Sequence, residues 1–278
     1  MNTVITYLCI MQTNSSHELL LLWIVKRCGV LIIAVICCLF RSQVVQCQSP
    51  DSALSGVIIG AGYAYQVPGG DMAKRFGNNS SAGALVYYKS KANWFYGIDF
   101  NFLFSGNVKE TGMMDSITTS SGQLIDQGGF LANVFFQERG FSLSVKTGKR
   151  IDFLTANVNS GPVIMVSGGF LQHKIRIDYN KNINNPIPQI EGEYKKGYDR
   201  LSNGPVLSEF IGYTYFGKNR MVNFIAGFEF FQAWTKNRRF NIDLQRRNNA
   251  QRLDLLYGIR ISWVFPVFRR LPDKYYYN

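Results

Sequence analysis

His173 is the side chain after Cys47 that is best suited to act as a general base. In that role it would need a carboxylate to orient it or a hydroxyl to activate, and Asp178 and Ser208 are the candidates that its strand context offers. A lone histidine at a strand end is more often solvated or interfacial. We therefore predict that the chain has no catalytic residues and is not an enzyme, with hydrolysis at His173 as the least favoured alternative.

Metal and nucleotide chemistry have no motif in this sequence. All five cysteines lie in the first 47 residues, so no disulfide and no thiolate metal site is expected after Cys47. The sequence has no cysteine–histidine cluster, no P-loop and no carboxylate-rich calcium repeat. We predict that the protein binds no metal and no cofactor.

The start of the chain has the order of a secretory signal peptide. Lys26 and Arg27 precede the apolar run CGVLIIAVICCLF (28–40), and a polar stretch then leads to a small-residue cleavage motif before Gln48. The apolar run is short for a membrane-spanning helix, which needs about 20 residues. The sequence therefore predicts export of the segment that follows.

The domain organisation follows from this assignment: a signal peptide at 1–47 and one domain at 48–278 that ends in a short periplasmic tail. Three alternatives stay open for the first segment. The apolar stretch could be a signal anchor that begins at Leu19, Cys47 could carry a lipid anchor, and Met11 could be the true start.

Segments of about ten residues with alternating apolar and polar side chains recur through the exported chain. In WFYGIDFNFLF (94–104), Trp94, Ile98 and Phe102 belong to one series, whereas Asp99 and Asn101 belong to the other. Further segments of this kind lie at 56–66, 82–90, 116–125, 130–137, 141–148, 163–177, 206–216, 222–230 and 257–265. Strands of about 9–11 residues suit a tilted crossing of a bilayer.

The polar series contains glycines, small polar residues and charged residues, and this composition separates two kinds of β protein. A soluble sandwich buries its apolar series, whereas a small membrane barrel turns that series to lipid and packs polar and paired charged side chains inside. We predict an all-β, antiparallel up-and-down transmembrane β-barrel with a filled lumen. The expected lumen charge network consists of Asp99, Lys146, Arg176, Glu209, Glu229 and Arg260.

The connections between strands give a second test, because outer-membrane barrels alternate short periplasmic turns with longer external loops. Long polar links are expected at 67–81, 178–205 and 232–252, and tight ones at 91–93 and 217–220. The alternation is complete only if 116–125 is a strand, QERG (137–140) a short external turn and NVNSG (157–161) a periplasmic turn. This arrangement gives about ten strands; eight is the alternative if 116–125 is a loop.

The last predicted strand carries part of an assembly signal for outer-membrane barrels. Gly258, Ile261 and Trp263 match its glycine, apolar and aromatic positions, whereas Leu256 stands where a polar residue is usual. The signal implies recognition by the barrel assembly machinery and therefore location in the outer membrane after export.

Five stretches together resemble a family of uncharacterised outer-membrane β-barrel proteins from Bacteroidota. They are GFLQHKIRIDYN, GEYKKGYDRLSNGP, FIGYTYF, NFIAGFEFFQAW and RLDLLYGIRISWVFPVFRR, and the resemblance covers most of 55–270. It implies a fold and a location but no activity, so no residue takes a functional role from it.

The last long loop is the clearest candidate binding surface, because its basic residues are opposed by Asp243 alone. Its candidate anion-binding residues are Lys236, Arg238, Arg239, Arg246, Arg247 and Arg252. Lipopolysaccharide phosphates are the anions nearest to an external loop, and arginine pairs well with phosphate. Nucleic acid is not expected as a partner for an exported barrel, and a solvated loop with nothing bound is the alternative.

The sequence thus favours a non-catalytic barrel that serves as a structural or scaffold component of a cell-envelope or secretion assembly. Its expected partners are outer-membrane lipid, envelope proteins and the barrel assembly machinery. A small barrel for transport or for interaction with lipid or lipopolysaccharide is the second hypothesis, although a water-filled pore needs about 16 strands.

Overall fold

The computed structural model describes residues 55–110, 112–179, 186–217 and 221–268. The signal peptide expected at 1–47 and the tail expected after the last strand lie outside the described residues. Among the residues described, no helix combines the length and the apolar character needed to span a membrane.

Eight long antiparallel strands form a closed barrel in which each strand pairs with its neighbours in sequence and the last pairs with the first. The strands are β1 (Gly56–Gly70), β2 (Asn79–Lys89), β3 (Trp94–Ser105), β4 (Val134–Arg150), β5 (Gly161–Tyr179), β6 (Ser202–Phe216), β7 (Asn223–Asn237) and β8 (Gln251–Phe268). This is the all-β, up-and-down barrel that the alternating pattern predicts, with eight strands.

The prediction of ten strands is wrong for two reasons. Residues 116–125 form no barrel strand; only Leu124–Ile125 is extended, and it pairs with Leu131–Ala132 in a separate short ribbon. The segments 130–137 and 141–148 are not separate strands either, because β4 runs through QERG without a turn. Gly140 lies opposite His173, and a Cβ there would come within 2.6 Å of the Gln172 carbonyl oxygen, so the glycine permits close strand approach.

The connections alternate in length along the chain. At one end of the barrel, the long-loop end, they span 71–78, 106–133, 180–201 and 238–250. At the other, the short-turn end, they span 90–93, 151–160 and 217–222, so NVNSG lies at the short-turn end. The alternation predicted from sequence is therefore present with eight strands.

The long loops contain short elements of secondary structure. They are the helix α1 (Met72–Arg75), the 3-10 turns Gly112–Met114 and Pro188–Ile190, the helix α2 (Gly192–Lys195), the ribbon of Leu124–Ile125 with Leu131–Ala132 and the ribbon of Phe240–Asn241 with Arg246–Arg247.

Side chains alternate strictly between the two faces of the barrel wall, as the strand period requires. On β3, Tyr96, Ile98 and Phe100 face outward and are exposed, whereas Phe95 and Asp99 face inward and are buried. The other strands repeat this arrangement, so the outer surface is a belt of exposed apolar side chains. An exposed apolar surface of this extent marks an interface with lipid or with another protein.

The interior is arranged in layers along the strands. On β7, Ile225 belongs to an apolar cluster at the short-turn end, Glu229 is buried and charged, and Phe231 belongs to a second apolar cluster at the long-loop end. β8 repeats the order with Val264, Arg260 and Leu256. The second cluster also takes in loop residues, namely Met72, Phe76, Met113, Met114, Leu124, Ile187, Ile190 and Tyr198.

Candidate functional site

The inner charge cluster consists of Asp99, Lys146, Glu229 and Arg260, which lie on four different strands and meet inside the barrel. Lys146 Nζ lies 2.6 Å from Asp99 Oδ2 and 2.7 Å from Glu229 Oε1. Arg260 Nη1 lies 3.2 Å from Glu229 Oε2 and 3.5 Å from Asp99 Oδ2. Two carboxylates therefore face two cations, and the cluster carries no net charge.

Neighbouring groups give this cluster further partners, although Arg260 Nη2 has no hydrogen-bond partner within the described residues. The Tyr87 hydroxyl donates to Asp99 Oδ1 at 2.6 Å, and Arg260 Nε donates to Ser262 Oγ at 3.2 Å. The ammonium of Lys146 also lies 5.6 Å from the centroid of the Phe210 ring. A buried ion is stable only with partners on most of its polar atoms, and these contacts supply them. Because the cluster joins four strands, it acts as an internal brace of the barrel.

Two members of the expected network, Arg176 and Glu209, are not in the lumen. Both occupy outward positions on their strands, between buried neighbours that face inward. Arg176 pairs with Asp178 on the outer surface, with Nε and Oδ2 2.7 Å apart. Since side chains two residues apart share a face, their register on β5 and β6 excludes them from the interior.

The outer polar cluster lies inside the long-loop end and centres on Asp254. Arg75 of α1 donates to Asp254 Oδ1 at 2.9 Å, His173 Nε2 lies 3.0 Å from Asp254 Oδ2, and Thr235 Oγ1 donates to the same oxygen at 2.5 Å. Arg75 Nη1 also lies 3.4 Å from Ser202 Oγ. The first long loop is thereby tied into the barrel by a buried, charged contact.

His173 does not meet the partners that the sequence suggests for a general base. It lies in the interior opposite Ser202, whereas Asp178 faces outward on the same strand. Ser208 is hydrogen-bonded to Ser167, with the two hydroxyl oxygens 2.6 Å apart. The reason is again strand parity, because an odd separation along β5 places His173 and Asp178 on opposite faces.

The basic residues of the last loop do not form one continuous surface. Arg246 and Arg247 are exposed on the short ribbon, and Lys236 is exposed on the outward face of β7. Arg238 Nε donates to Asn203 Oδ1 at 2.7 Å. The inward position of Arg252 on β8 corrects its assignment to a single external cationic surface.

The carboxylates near this loop are already paired. Arg239 Nη1 lies 3.2 Å from Asp199 Oδ2, and Asp243 accepts two hydrogen bonds from Arg200, at 2.9 and 2.6 Å. Burial raises the pKa of Asp199 above its ordinary value, and the charge of Arg239 opposes this shift only in part.

The residues of the expected assembly signal lie on β8, which closes the barrel against β1. Ile261 and Trp263 face outward and are exposed, and the Trp263 indole Nε1 donates to the Met221 carbonyl at 2.8 Å. Gly258 faces inward, and a Cβ there would come within 2.8 Å of Gln66 Cγ and the Tyr65 carbonyl oxygen. These three positions therefore remain candidates for recognition during assembly.

Sequence reasoning missed Arg75, Thr235 and Asp254. Asp254 is separated from Leu256 and Arg260 by even numbers of residues and so belongs to the same inward series. The pattern at 257–265, however, places the start of the strand after Asp254. Arg75 gave no signal, because a loop residue that folds into a barrel has no periodicity. Within the described part of the chain, no group of three or more histidine, cysteine, aspartate or glutamate side chains is arranged to hold a metal ion.

No protein-family model matches the chain, and no curated protein matches it in sequence. Among solved structures, Neisserial surface protein A is similar with a TM-score of 0.42 and 10% identity, covering 76% of this chain and 97% of its own. Ail, the attachment invasion locus protein of Yersinia pestis, has a TM-score of 0.38 and 10% identity, covering 76% and 100%. OprG from Pseudomonas aeruginosa has a TM-score of 0.33 and 11% identity, covering 77% and 98%. Similarities at these values assign neither a family nor an activity.

Proposed function

We propose that the protein is a non-catalytic, integral outer-membrane β-barrel that serves as a structural or scaffold component of a cell-envelope or secretion assembly. The observation that carries this proposal is the closed barrel with an apolar belt outside and ion pairs inside. In water this arrangement would expose a large apolar surface. In a bilayer the apolar belt contacts lipid, and the charged groups are enclosed in the barrel interior. The long-loop end is then external and the short-turn end periplasmic.

The layered interior supports a barrel that is filled and closed to solutes. A solute crossing it would have to pass the apolar cluster around Phe231, the inner charge cluster and the apolar cluster around Ile225. Opening that route would separate buried ion pairs, which is strongly unfavourable. An eight-stranded barrel is also just wide enough for its own side chains to fill.

Conductance in planar bilayers tests closure against transport. The purified protein should give no steady single-channel current, whereas a stable open level would favour the transport reading. For the scaffold role, the tagged protein extracted from its native membrane in mild detergent should retain envelope partners at fixed stoichiometry. Recovery of the barrel alone, together with steady conductance, would overturn the scaffold proposal.

Binding of lipopolysaccharide by the last loop is the second candidate function. It is favoured by one observation: Arg246 and Arg247 are exposed and make no ion pair within the described residues, while Asp243 is held by Arg200. The test is the amount of lipid A that co-purifies with R246Q/R247Q. The matched control is K91Q/K149Q, which removes the same charge at the short-turn end. Equal amounts of co-purifying lipid A on both variants would overturn this candidate function.

A further inference from the structure

Arg139 and Lys174 face each other on the outer surface of the barrel near its long-loop end. Arg139 on β4 pairs in register with Lys174 on β5. Their chain neighbours Glu138, His173 and Ile175 are fully buried and face inward, so both cations face outward. Side chains directly opposite on neighbouring strands have Cβ atoms about 4.5–5.5 Å apart, and like charges in such pairs destabilise a sheet.

No carboxylate of the described chain forms a salt bridge with either cation. In the register, Arg139 and Lys174 are flanked by Phe104, Gln137 and Gln172, and the carboxylate nearest along β5, Asp178, pairs with Arg176 at 2.7 Å. The field of Lys174 reaches Asp199, but that carboxylate forms its salt bridge with Arg239 at 3.2 Å. The fields of Asp199 and of the buried Glu138 therefore offset the repulsion between the two cations only in part, because neither carboxylate forms a salt bridge with Arg139 or Lys174.

The guanidinium of Arg139 is held in place before any ligand arrives. Its Nη1 donates to the Glu138 carbonyl at 3.0 Å and its Nη2 donates to Gln137 Oε1 at 2.5 Å. A guanidinium carries five N–H donors, so donors remain for a further acceptor. An oriented guanidinium beside an ammonium fits the oxygens of a phosphate.

An aromatic surface lies directly on the belt side of these cations. Phe104 is opposite Arg139 on β3, and Phe141 is the next outward residue on β4. The Phe141 ring lies 6.2 Å from that of Phe100 and 6.4 Å from that of Phe170, centroid to centroid. The polar and apolar parts of this surface therefore follow the same order as the headgroup and acyl chain of a lipid.

We propose that Arg139 and Lys174 bind the phosphate of an anionic outer-leaflet lipid whose acyl chain lies along Phe141 and Phe170. The phosphate belongs to a lipopolysaccharide or to a glycerophospholipid, since both present the same group at this depth. The proposal rests on the proposed membrane location and assigns a site on the strands, separate from the last loop.

Native mass spectrometry of the delipidated protein in detergent tests the site, with lipid A, phosphatidylglycerol, diacylglycerol and inorganic phosphate as probes. We expect phosphate-bearing lipids to bind and R139Q/K174Q to weaken them roughly 30-fold, because each surface cation contributes about 1 kcal/mol. R139K/K174R keeps both positive charges and should retain binding. It therefore tests the role of charge even where the glutamine variant folds poorly. K91Q/K149Q should bind as the unmodified protein does.

Selective loss of lipid A identifies lipopolysaccharide as the source, and selective loss of phosphatidylglycerol identifies a glycerophospholipid; either supports the site. Unchanged binding in R139Q/K174Q, an equal loss in K91Q/K149Q, or equal binding of diacylglycerol would overturn it. Displacement by equimolar inorganic phosphate would overturn the assignment to a lipid. Because the measurement is made in detergent, its failure is distinguishable from failure of the membrane proposal, which cell fractionation tests.

Discussion

Lys146 on β4 and Glu229 on β7 meet across the barrel interior, with Nζ and Oε1 2.7 Å apart. The two strands are not neighbours, since β5 and β6 lie between them in the sheet. The ion pair therefore joins opposite walls of the barrel and fixes the distance between them. Backbone hydrogen bonds join only adjacent strands and do not fix this distance directly.

Replacing Lys146 with methionine should destabilise the barrel strongly. The substitution leaves Asp99 and Glu229 buried with Arg260 as their remaining cation, and removing one partner from a buried pair costs about 3–5 kcal/mol. Urea unfolding in detergent measures the change. Lys149→Met on the same strand is the control, because Lys149 faces outward and should change stability by about 0.5 kcal/mol. Equal effects of the two variants would show that the cluster is not a brace.

Arg75→Gln should release the first long loop from the barrel. Arg75 is the residue of α1 that reaches Asp254, so its loss leaves that carboxylate with His173 and Thr235. Hydrogen exchange at 71–78 should then speed up by at least tenfold, while exchange in β3 stays unchanged. Lys74→Gln, which removes an exposed cation paired with Asp71, should leave exchange at 71–78 nearly as it is. Unaltered protection in Arg75→Gln would contradict a tether.

Glu209→Leu should stabilise the protein in a bilayer. Glu209 lies between Leu207 and Ile211 on the outward face of β6, where an acidic side chain in the lipid belt costs on the order of 1 kcal/mol. Unfolding measured in lipid vesicles should show the gain, and Glu209→Gln should show part of it. The same variants compared in aqueous detergent should differ less. A loss of stability in vesicles would show that Glu209 has a partner in the membrane.

Stability should depend on pH through Asp199. Burial raises the pKa of Asp199 in the folded protein, so the folded state holds this proton more tightly than the unfolded chain does. Its contribution is fully present below the ordinary aspartate pKa of about 3.9 and is lost as pH rises through the raised value. Subtracting the unfolding curve of Asp199→Asn from that of the unmodified protein should isolate this loss. Parallel curves across that window would refute it.

Alternation along single strands predicted the wall of the barrel well, because each residue's face is fixed by its neighbours. WFYGIDFNFLF became β3 with the outward and inward series that its pattern indicates, and Asp99 lies inside with Lys146. Charge predicts a lumen position for Arg176 and Glu209, although their own strands place them outside. Charge alone does not determine the face that a strand residue occupies.

The loops were beyond this reasoning because their contacts are not periodic. Leu124 and Met114 pack in the apolar cluster at the long-loop end, yet their segment gives no signal that separates a strand from a folded loop. The alternation of connections predicts a turn at QERG, whereas Gly140 there permits close approach of β4 to β5. A glycine where two paired strands approach closely and a glycine in a turn look alike in sequence.

The most direct test of the central claim is the environment of single spin labels, which the absence of cysteine after Cys47 makes possible. Labels at Ile98 and Ile261 report on the outward belt, and a label at the exposed Tyr194 reports on a long loop. In the native outer membrane, the belt labels should relax with oxygen and be protected from a water-soluble nickel complex, with the loop label showing the reverse. Nickel access at Ile98 and Ile261 equal to that at Tyr194 would contradict an integral membrane barrel.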